Sequence, residues 1–405
     1  MTNRVRVFLI GISSFLLLYV FFGGVLAHTA SNNDSTYRDL GVYSEVLSRI
    51  QQEYVTTPNL KKVTNGAIRG LLQSLDPYST YLTPKEYQDY EQHPEAGPGK
   101  LGIFLSERSG FATIVDVLPG SPAAKAGIET GDLLDTVNGR PVREASVVQI
   151  DRELSGLIGS TVKIGIIHQA RGEPRILTLE RLALSYPAPA AKLIEGHTAY
   201  IHPVTFNKGM AAEIQGELSQ LIAGGATRAV LDLRNCAGGH VSEAEKTADL
   251  FLDHGLIAYL SGQQFPRQNI NAQPVSHPFT LPVAVLINQA TAGPAEIVAG
   301  AIQANNRGKV VGARSFGVGV YQKLIPVGDG SALLLSVAKY YTPAGRAIQG
   351  EGIEPNVVED RGPEFVPASA KTPSGEAAKP DVQNDPQLKK ALEILDQNSA
   401  PAKAA

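Results

Sequence analysis

The sequence predicts a multidomain fold of mixed α+β and α/β class, in which N-terminal helices precede a small β-rich module and an α/β core. Three observations lead to this prediction. The chain has 405 residues, more than a single hydrophobic core usually organises. Short strand-like runs crowd together between residues 96 and 183. Between residues 184 and 360, buried strand patterns alternate with helical patterns, which is typical of an α/β sandwich.

Residues 1–30 are expected to direct export rather than to belong to the fold. Arg4 and Arg6 precede an uncharged stretch over residues 7–27, which ends in the small residues of a cleavage site. That stretch is also about 20 residues long, enough to span a bilayer. The segment is therefore either a cleaved signal peptide or a membrane anchor. A buried core helix fits less well, because a positive flank at the extreme N-terminus is typical of targeting segments.

Residues 31–95 predict a polar stalk, over residues 31–37, followed by a helical region. Apolar residues then recur at spacings of three and four, which predicts two amphipathic helices. Pro58 marks the expected break between them. The first pattern contains Leu40, Tyr43, Val46, Leu47, Ile50 and Tyr54, and the second contains Val63, Ala67, Ile68, Leu71 and Leu72.

The small module, over residues 96–183, combines five strand-like runs with one helical pattern at 147–157. The runs cover residues 102–105, 113–117, 133–137, 162–167 and 175–179. Residues 120–132 read GSPAAKAGIETGD, a segment that resembles the equivalent stretch of PDZ domains. The resemblance implies a domain that captures a C-terminal peptide by adding it to a sheet edge, with its carboxylate on backbone amides.

The same resemblance places the peptide-binding loop at Leu101, Gly102, Ile103 and Phe104, with the helix over 147–157 as the other wall of the groove. Few side chains are diagnostic there, because backbone amides would bind the peptide. The alternative is a groove that is blocked or used only for packing, since recognition needs an open sheet edge.

The core, over residues 184–360, contains apolar runs suited to strands that are buried on both faces. These runs cover residues 198–201, 228–233 and 283–287, and helical stretches over 210–222 and 242–252 separate them. Beyond the core, residues 361–405 predict a low-complexity tail that is disordered over 362–380. Asp385 as N-cap and Pro386 at the first position then predict a short helix to about residue 395.

The composition excludes some classes of function. A net charge of −3 gives no support for nucleic-acid binding, which requires a basic face. One cysteine excludes an internal disulfide. No cofactor and no metal are expected.

The candidate site begins with a strand, a turn of small residues and a helix over residues 284–301, with Glu296 in the first helical turn. A second strand, at 309–312, leads into the segment SFGVGVYQ at 315–322. This arrangement resembles the carboxyl-terminal processing peptidase family, whose members are serine proteases that use a lysine as base. The resemblance covers roughly residues 37–360.

The resemblance identifies two substituted positions. The family motif SASASEI carries the nucleophile at its middle serine, and its Glu-Ile falls on residues 296–297, so the nucleophile position is Gly293. The family's FGKG falls on residues 316–319, which puts the lysine position at Val318. The two positions are 25 residues apart, as in the family. Gln322 falls on the glutamine that orients the lysine and is retained.

Two further motifs support the resemblance. Residues 75–82, LDPYSTYL, resemble the family's LDPHSSYL, and residues 232–239, DLRNCAGG, resemble DLRGNPGG. In the second motif Cys236 and Ala237 depart from the family pattern. Gly238 and Gly239 match the glycine pair from which the family draws a backbone amide for its oxyanion hole.

Glycine has no side chain and valine accepts no proton, so these substitutions remove the serine–lysine chemistry. Loss of such a unit costs roughly a million-fold in turnover. Thr291 and Ser315 are nearby hydroxyls, but displacement of a reacting atom by about 1 Å already costs about a hundred-fold. A thiol at Cys236, four residues before His240, is better interpreted as a small buried hydrophobe. Lys323 and Lys339 are interpreted as exposed charges on strands.

Two functions follow as hypotheses. The first is a catalytically degenerate homologue in the bacterial cell envelope, on the periplasmic side, that binds unstructured or C-terminal peptides as an adaptor, regulator or decoy. Its partners would be such peptides, an active relative, and the inner membrane through the N-terminal segment. The alternative is an active serine-type endopeptidase that cleaves proteins near their C-termini with a non-standard nucleophile.

Overall fold

The computed structural model describes residues 38–94, 96–143, 145–168, 172–273, 279–360 and 382–399. The chain divides after Ile68 into two compact units. The predicted targeting segment, the stalk at 31–37 and the low-complexity stretch at 362–380 lie outside the described residues. Among the described helices, none is long and apolar enough to cross a bilayer.

The first unit contains helix α1, over residues 38–53, and the start of helix α2, Leu60–Gln73. The chain leaves helical geometry over residues 54–59, which include Pro58. The two predicted amphipathic helices and the break between them are therefore confirmed. Strand β1, Thr80–Leu82, and helix α3, Pro84–Gln92, follow in the second unit. Thr83 caps α3 and is in turn bound by Glu86, which closes a capping box.

The β-rich module folds as one antiparallel sheet with the strand order β2-β3-β4-β6-β7, and β5 pairs with β4. Helix α5 carries apolar side chains at positions that face this sheet, and Ile150 and Leu154 are almost fully buried. The elements are β2 Ile103–Arg108, β3 Phe111–Val117, α4 Pro122–Lys125, β4 Leu133–Val137, β5 Arg140–Pro141, α5 Val147–Leu154, β6 Thr161–Ile167 and β7 Arg175–Glu180.

All five predicted strands of this module are present, and the two largest differences from the predicted boundaries are three residues each. Strand β2 continues to Arg108, because each of its residues pairs along β3. Helix α5 ends at Leu154 rather than at residue 157, because Ser155 is extended and Gly156 forms a bridge with Gly99. β2 lies at the end of the strand order, and no other described strand pairs with its outer edge.

The α/β core is built on a six-stranded sheet with the order β17-β14-β13-β10-β9-β8. The pairs are parallel except for β8 with β9. Its strands are β8 Ala190–Ile194, β9 Thr198–His202, β10 Arg228–Asp232, β13 Val283–Ile287, β14 Gly308–Gly312 and β17 Val357–Val358. The helices that connect them are α6 Met210–Ala223, α7 Val241–Asp249 and α8 Pro294–Ala304.

Strands β10 and β13 are fully buried, as predicted for strands covered on both faces. On one face, Ala229 and Leu231 belong to the main core cluster together with residues of α6, α7 and α8. On the other face, Val230 packs in a cluster with Leu388 and Leu392 of the C-terminal helix. Each such aliphatic side chain contributes about 1.5–3 kcal/mol when buried, so both helical layers are needed to stabilise this sheet.

A second core sheet was not predicted from the sequence. It has the order β1-β16-β11-β12, and β15 pairs with β16. Its remaining strands are β11 Leu256–Ser261, β12 Gln268–Asn271, β15 Val320–Pro326 and β16 Ala332–Tyr341.

The C-terminal helix α9, Pro386–Ser399, packs on β13 and β14 of the larger sheet. The N-cap function predicted for Asp385 is confirmed, because its Oδ1 accepts the Leu388 N–H at 3.0 Å. The helix runs four residues beyond the predicted end. A buried ion pair holds its start, since Arg234 donates to both carboxylate oxygens of Asp385 at 3.0 and 2.7 Å.

Candidate functional site

Gly293 stands at the turn between β13 and α8, and its backbone has a conformation that L side chains rarely adopt. Its φ of 65° and ψ of −119° suit glycine, which lacks a Cβ. A Cβ built at this position would meet no atom within 4 Å. The predicted nucleophile position is therefore a sharp strand-to-helix turn that faces open space, although the residue there has no side chain.

Glu296, one turn into α8, joins the two substituted positions through its buried carboxylate. The Gly293 N–H donates to Oε2 at 2.9 Å, and the Val318 N–H donates to the same oxygen at 2.8 Å. The Gly317 N–H donates to Oε1 at 2.8 Å, and the Ser315 hydroxyl donates to that oxygen as well. One carboxylate oxygen thus accepts the backbone N–H groups of both positions that the resemblance assigned to the nucleophile and the base.

Burial and hydrogen bonding shift the pKa of the Glu296 carboxyl in opposite directions. Burial raises its pKa to about 7, while the hydrogen bonds from Ser315, Val318, Gly293 and Gly317 act to lower it. Three of these donors are backbone N–H groups, which can only donate, so the arrangement fits the ionised form. Because every oxygen is engaged and the residue is fully buried, Glu296 organises the site rather than reaching a substrate.

The side chain of Val318 contributes no polar group to the site. Its side chain is partly buried and packs against Val115, Ala237 and Ala292. The position where the family carries an amine is thus apolar. Gln322, the expected support for that amine, instead donates from Nε2 to the Tyr78 carbonyl at 2.9 Å.

The turn at residues 76–79, whose Tyr78 carbonyl accepts the hydrogen bond from Gln322, was not identified from the sequence as part of the site. Asp76 accepts the Tyr78 and Ser79 N–H groups, each at 2.8 Å, and the Ser79 hydroxyl at 2.7 Å. The Tyr78 hydroxyl lies 2.6 Å from Ser106 Oγ of β2. The motif at residues 75–82 carried the signal, because an Asx turn before a buried tyrosine fixes that side chain.

Gly238 and Gly239 lie beside the turn at residue 293, since the Ala292 N–H donates to the Cys236 carbonyl at 3.1 Å. Both glycines have positive φ, 70° and 97°. A Cβ at Gly239 would lie 2.2 Å from the Phe206 backbone, so only glycine fits there. Within the described residues, neither amide N–H of this pair donates a hydrogen bond.

Pro294 is a further departure from the family arrangement. It is the first residue of α8, directly after the nucleophile position. In nucleophile turns between a strand and a helix, the N–H of this residue commonly completes the oxyanion hole. Proline has no N–H. The site therefore lacks this donor in addition to the hydroxyl and the amine.

The three groups considered as substitute nucleophiles are all buried. Thr291 is fully buried and its hydroxyl donates to the Leu233 carbonyl at 2.7 Å. Ser315 donates to Glu296 and accepts the Ile353 N–H at 2.6 Å. Cys236 is fully buried, and burial raises the pKa of its thiol well above the usual value. Interpretation of this cysteine as a buried hydrophobe is confirmed.

The lysines considered as relocated bases, Lys323 and Lys339, are both exposed on strands β15 and β16, as predicted. Neither is placed by the structure among the residues around Gly293.

The predicted peptide loop lies along the open edge strand β2 and just before it. Leu101 is buried, and Ile103 packs against the same cluster as Ile150 and Leu154 of α5. Gly102 has a φ of 80°, and a Cβ there would lie 2.3 Å from the Ser121 side chain. Phe104 points to the opposite side of the sheet, where its ring contacts Gly238. Ile103 thus packs on the side of the sheet that carries α5, and Phe104 faces the core.

Comparison with protein families supports the predicted resemblance to carboxyl-terminal processing peptidases and to PDZ domains. Residues 197–359 match the model of peptidase family S41, residues 113–167 match a PDZ domain, and residues 24–86 match the N-terminal domain of the activating protease CtpB. The β-rich module is accordingly called the PDZ module below.

Individual relatives agree with the family models. The chain is 30% identical to a carboxy-terminal-processing protease of Bartonella bacilliformis, over 82% of this chain and 78% of the relative. It is 32% identical to a carboxyl-terminal-processing protease of a Picosynechococcus species, over 87% and 84%. Among solved structures, a photosystem II D1 C-terminal processing protease matches 78% of this chain and 92% of its own, with a TM-score of 0.65 and 26% identity. The chain belongs to the carboxy-terminal processing protease family.

Proposed function

We propose that this chain is a catalytically degenerate member of its family, which binds C-terminal or unstructured peptides through its PDZ module without hydrolysing them. One observation carries the proposal. The backbones of Gly293 and Val318 meet on a single oxygen of Glu296, so the two expected positions are assembled but hold neither a hydroxyl nor an amine.

The chemistry of the site supports the loss of hydrolysis. Acyl transfer needs a nucleophile, a base and an oxyanion hole that face one carbonyl carbon. Here the first two are absent, and Pro294 removes a donor for the third. Removal of the catalytic unit alone costs roughly a million-fold in turnover. Turnover that remains after such a loss is too slow to serve as a physiological activity.

The PDZ module supports the binding half of the proposal. No other described strand pairs with the outer edge of β2, and the partly buried Ile103 of β2 packs on the apolar cluster that contains Leu101 and Ile150. A peptide added to this edge would pair its backbone with β2 and place an apolar terminal side chain toward these residues. The relatives are named for the processing of carboxy termini. A C-terminal peptide is therefore the proposed ligand.

The place of action is also proposed, namely the periplasmic side of a bacterial envelope. It rests on the sequence over residues 1–30, in which Arg4 and Arg6 precede a long uncharged stretch. There the chain would act as an adaptor, a regulator or a decoy for an active relative that cleaves the same peptides.

The competing function is an active endopeptidase with a non-standard nucleophile. The burial and hydrogen bonding of Thr291, Ser315 and Cys236 count against it.

Two assays on the full chain test the proposal. A fluorophosphonate serine probe and an unfolded casein substrate should give no labelling and no cleavage. A library of fluorescent peptides with free carboxylates should bind, and C-terminal amides of the same peptides should bind at least tenfold more weakly. Cleavage that disappears in Thr291→Ala or Cys236→Ala would establish the competing function. Absence of binding by every peptide would refute the binding half.

A further inference from the structure

A small apolar cluster joins the PDZ module to the degenerate site. Val115 of β3 is buried together with Ala237 and Ala292 of the core, and each is at most 4% exposed. Three partly buried side chains pack around them, namely Phe104, Phe316 and Val318. These six residues are called the seam cluster. Two come from the PDZ module and four from loops that flank residue 293.

A β-bulge directs Val115 into the seam cluster. Phe104 pairs with Asp116 and the next residue, Leu105, pairs with Ile114, so Val115 is the extra residue of β3. A bulge of this kind turns a side chain away from the regular alternation of its strand. Ile114 and Val117 remain in the module's own core. The bulge therefore supplies an apolar contact to the neighbouring domain.

Phe104 covers the first glycine of the predicted oxyanion loop. A Cβ built on Gly238 would lie 2.4 and 2.5 Å from two atoms of the Phe104 ring. Such distances do not occur between real carbon atoms without displacement, so the ring rests directly on the glycine. The close approach requires glycine at 238.

The outward-facing residues of β2 extend this contact along the strand. Ser106 lies beside the Tyr78 hydroxyl at 2.6 Å, and the Arg108 guanidinium lies 4.8 Å from the centre of the Phe316 ring. Ile103 and Leu105 alternate with them and pack into the module instead. One face of β2 thus belongs to the PDZ module and the other to the degenerate site.

We propose that Val318 now serves as a packing residue, which closes the apolar seam that holds the PDZ module over Gly238. A lysine at this position would bring an ammonium group against alanine and phenylalanine side chains, and burial of an unpaired charge is costly. The substitution that removed the base therefore also strengthens the contact between the domains. This role does not depend on peptide binding, so it can fail or succeed independently of the proposed function.

The test measures how often the seam opens. Cys236 is the only cysteine, so Cys236→Ala with Val115→Cys leaves one thiol, within the seam cluster. Its rate of maleimide labelling under native conditions reports opening. In this background Val318→Lys should raise the rate at least tenfold, while Val318→Ile should leave it within twofold. Val320→Lys is the matched control, because Val320 is also partly buried but lies outside the cluster.

An unchanged rate in Val318→Lys would overturn the inference, and so would an equal acceleration in Val320→Lys, which would indicate general loosening of the core. Circular dichroism verifies that each variant is folded.

A second pair of variants tests the seam if Val318→Lys does not fold. Gly238→Ala should accelerate labelling at least tenfold, because its Cβ displaces the Phe104 ring. In a Phe104→Ala background the same change should add less than twofold, since the clashing ring is absent. Additive effects of the two substitutions would overturn the inference, because they would show that the strain lies in the glycine loop alone.

Discussion

The turn before α8 and the edge of strand β2 lie close together, yet they depend on the sequence in different ways. At the turn, the family's chemistry resides in side chains, and Gly293 and Val318 supply neither a hydroxyl nor an amine. At β2, binding relies on backbone groups of an open edge, so a range of side chains is compatible with it. Chemistry that depends on particular side chains is lost with single substitutions, whereas recognition built from backbone groups tolerates them.

The largest expected effect is restoration of hydrolysis at the turn. Gly293→Ser, Pro294→Ala and Val318→Lys together should produce measurable cleavage of an unfolded substrate. A Cβ at 293 meets open space, alanine restores an N–H, and the strain of an L residue at a φ of 65° is on the order of 1–3 kcal/mol. Return of one oxyanion donor is worth about 10²–10³ in turnover, so the double variant with Pro294 retained should be slower by that factor.

The three single variants are the controls, and each should remain inactive. Equal activity of the double and triple variants would show that Pro294 does not limit the site.

The next largest effect is expected on the free energy of unfolding, through the hydrogen bonds that Glu296 accepts around the turn. Glu296→Ala should lower the free energy of unfolding by about 3 kcal/mol or more, because each buried donor left unsatisfied costs about 1–3 kcal/mol. Glu213 is the matched control, since it also lies in a first helical turn but is exposed. Glu213→Ala should cost less than about 1 kcal/mol. Urea unfolding of the two variants measures the difference, and similar losses would contradict the central role of Glu296.

A smaller effect is expected on peptide binding at strand β2. Ile103→Ala should weaken binding of a C-terminal peptide about tenfold, or about 1.4 kcal/mol, because it shortens an apolar side chain beside the groove. Ile176→Ala is the control, since Ile176 lies on β7 at the opposite edge of the sheet and is 52% exposed. Fluorescence anisotropy measures both. Equal weakening would place the peptide elsewhere on the module.

The smallest effect is a dependence of stability on pH at Asp116. Burial raises the pKa of this carboxyl well above its usual value. The folded state therefore holds the proton more tightly than the unfolded state, so the contribution of Asp116 to stability is fully present below about pH 3.9 and is lost as the pH rises toward the folded pKa. Asp116→Asn stays neutral, so its Tm relative to the wild type should rise as the pH increases above about 4. A constant difference would contradict this.

Sequence patterns predicted the elements whose residues carry a local signal. Strands β4 and β13 have the predicted bounds, because β-branched and leucine residues are concentrated there. The sheet that joins β1 to β16 was missed, since its strands are more than 200 residues apart and each is only partly apolar. Long-range pairing of this kind leaves no periodic trace in either strand.

The candidate site was likewise predictable only where the sequence carries a local signal. The spacing of the family motifs assigned Gly293 and Val318 to the nucleophile and base positions, and their backbone N–H groups share one carboxylate oxygen of Glu296. The bulge at Val115 and the contact of Phe104 with Gly238 could not be predicted, because both depend on how two domains meet.

The ion pair between Arg234 and Asp385 has a practical consequence for work with fragments. Arg234 lies two residues before Cys236, at the start of the loop that carries the glycine pair, whereas Asp385 begins the last helix. A fragment that ended at residue 360 would leave this guanidinium at a buried position with Asp232 as its one acidic neighbour among the described residues. Cloning limits drawn at the end of the family match would therefore disturb the glycine loop, and residues up to the end of α9 belong in any expressed core.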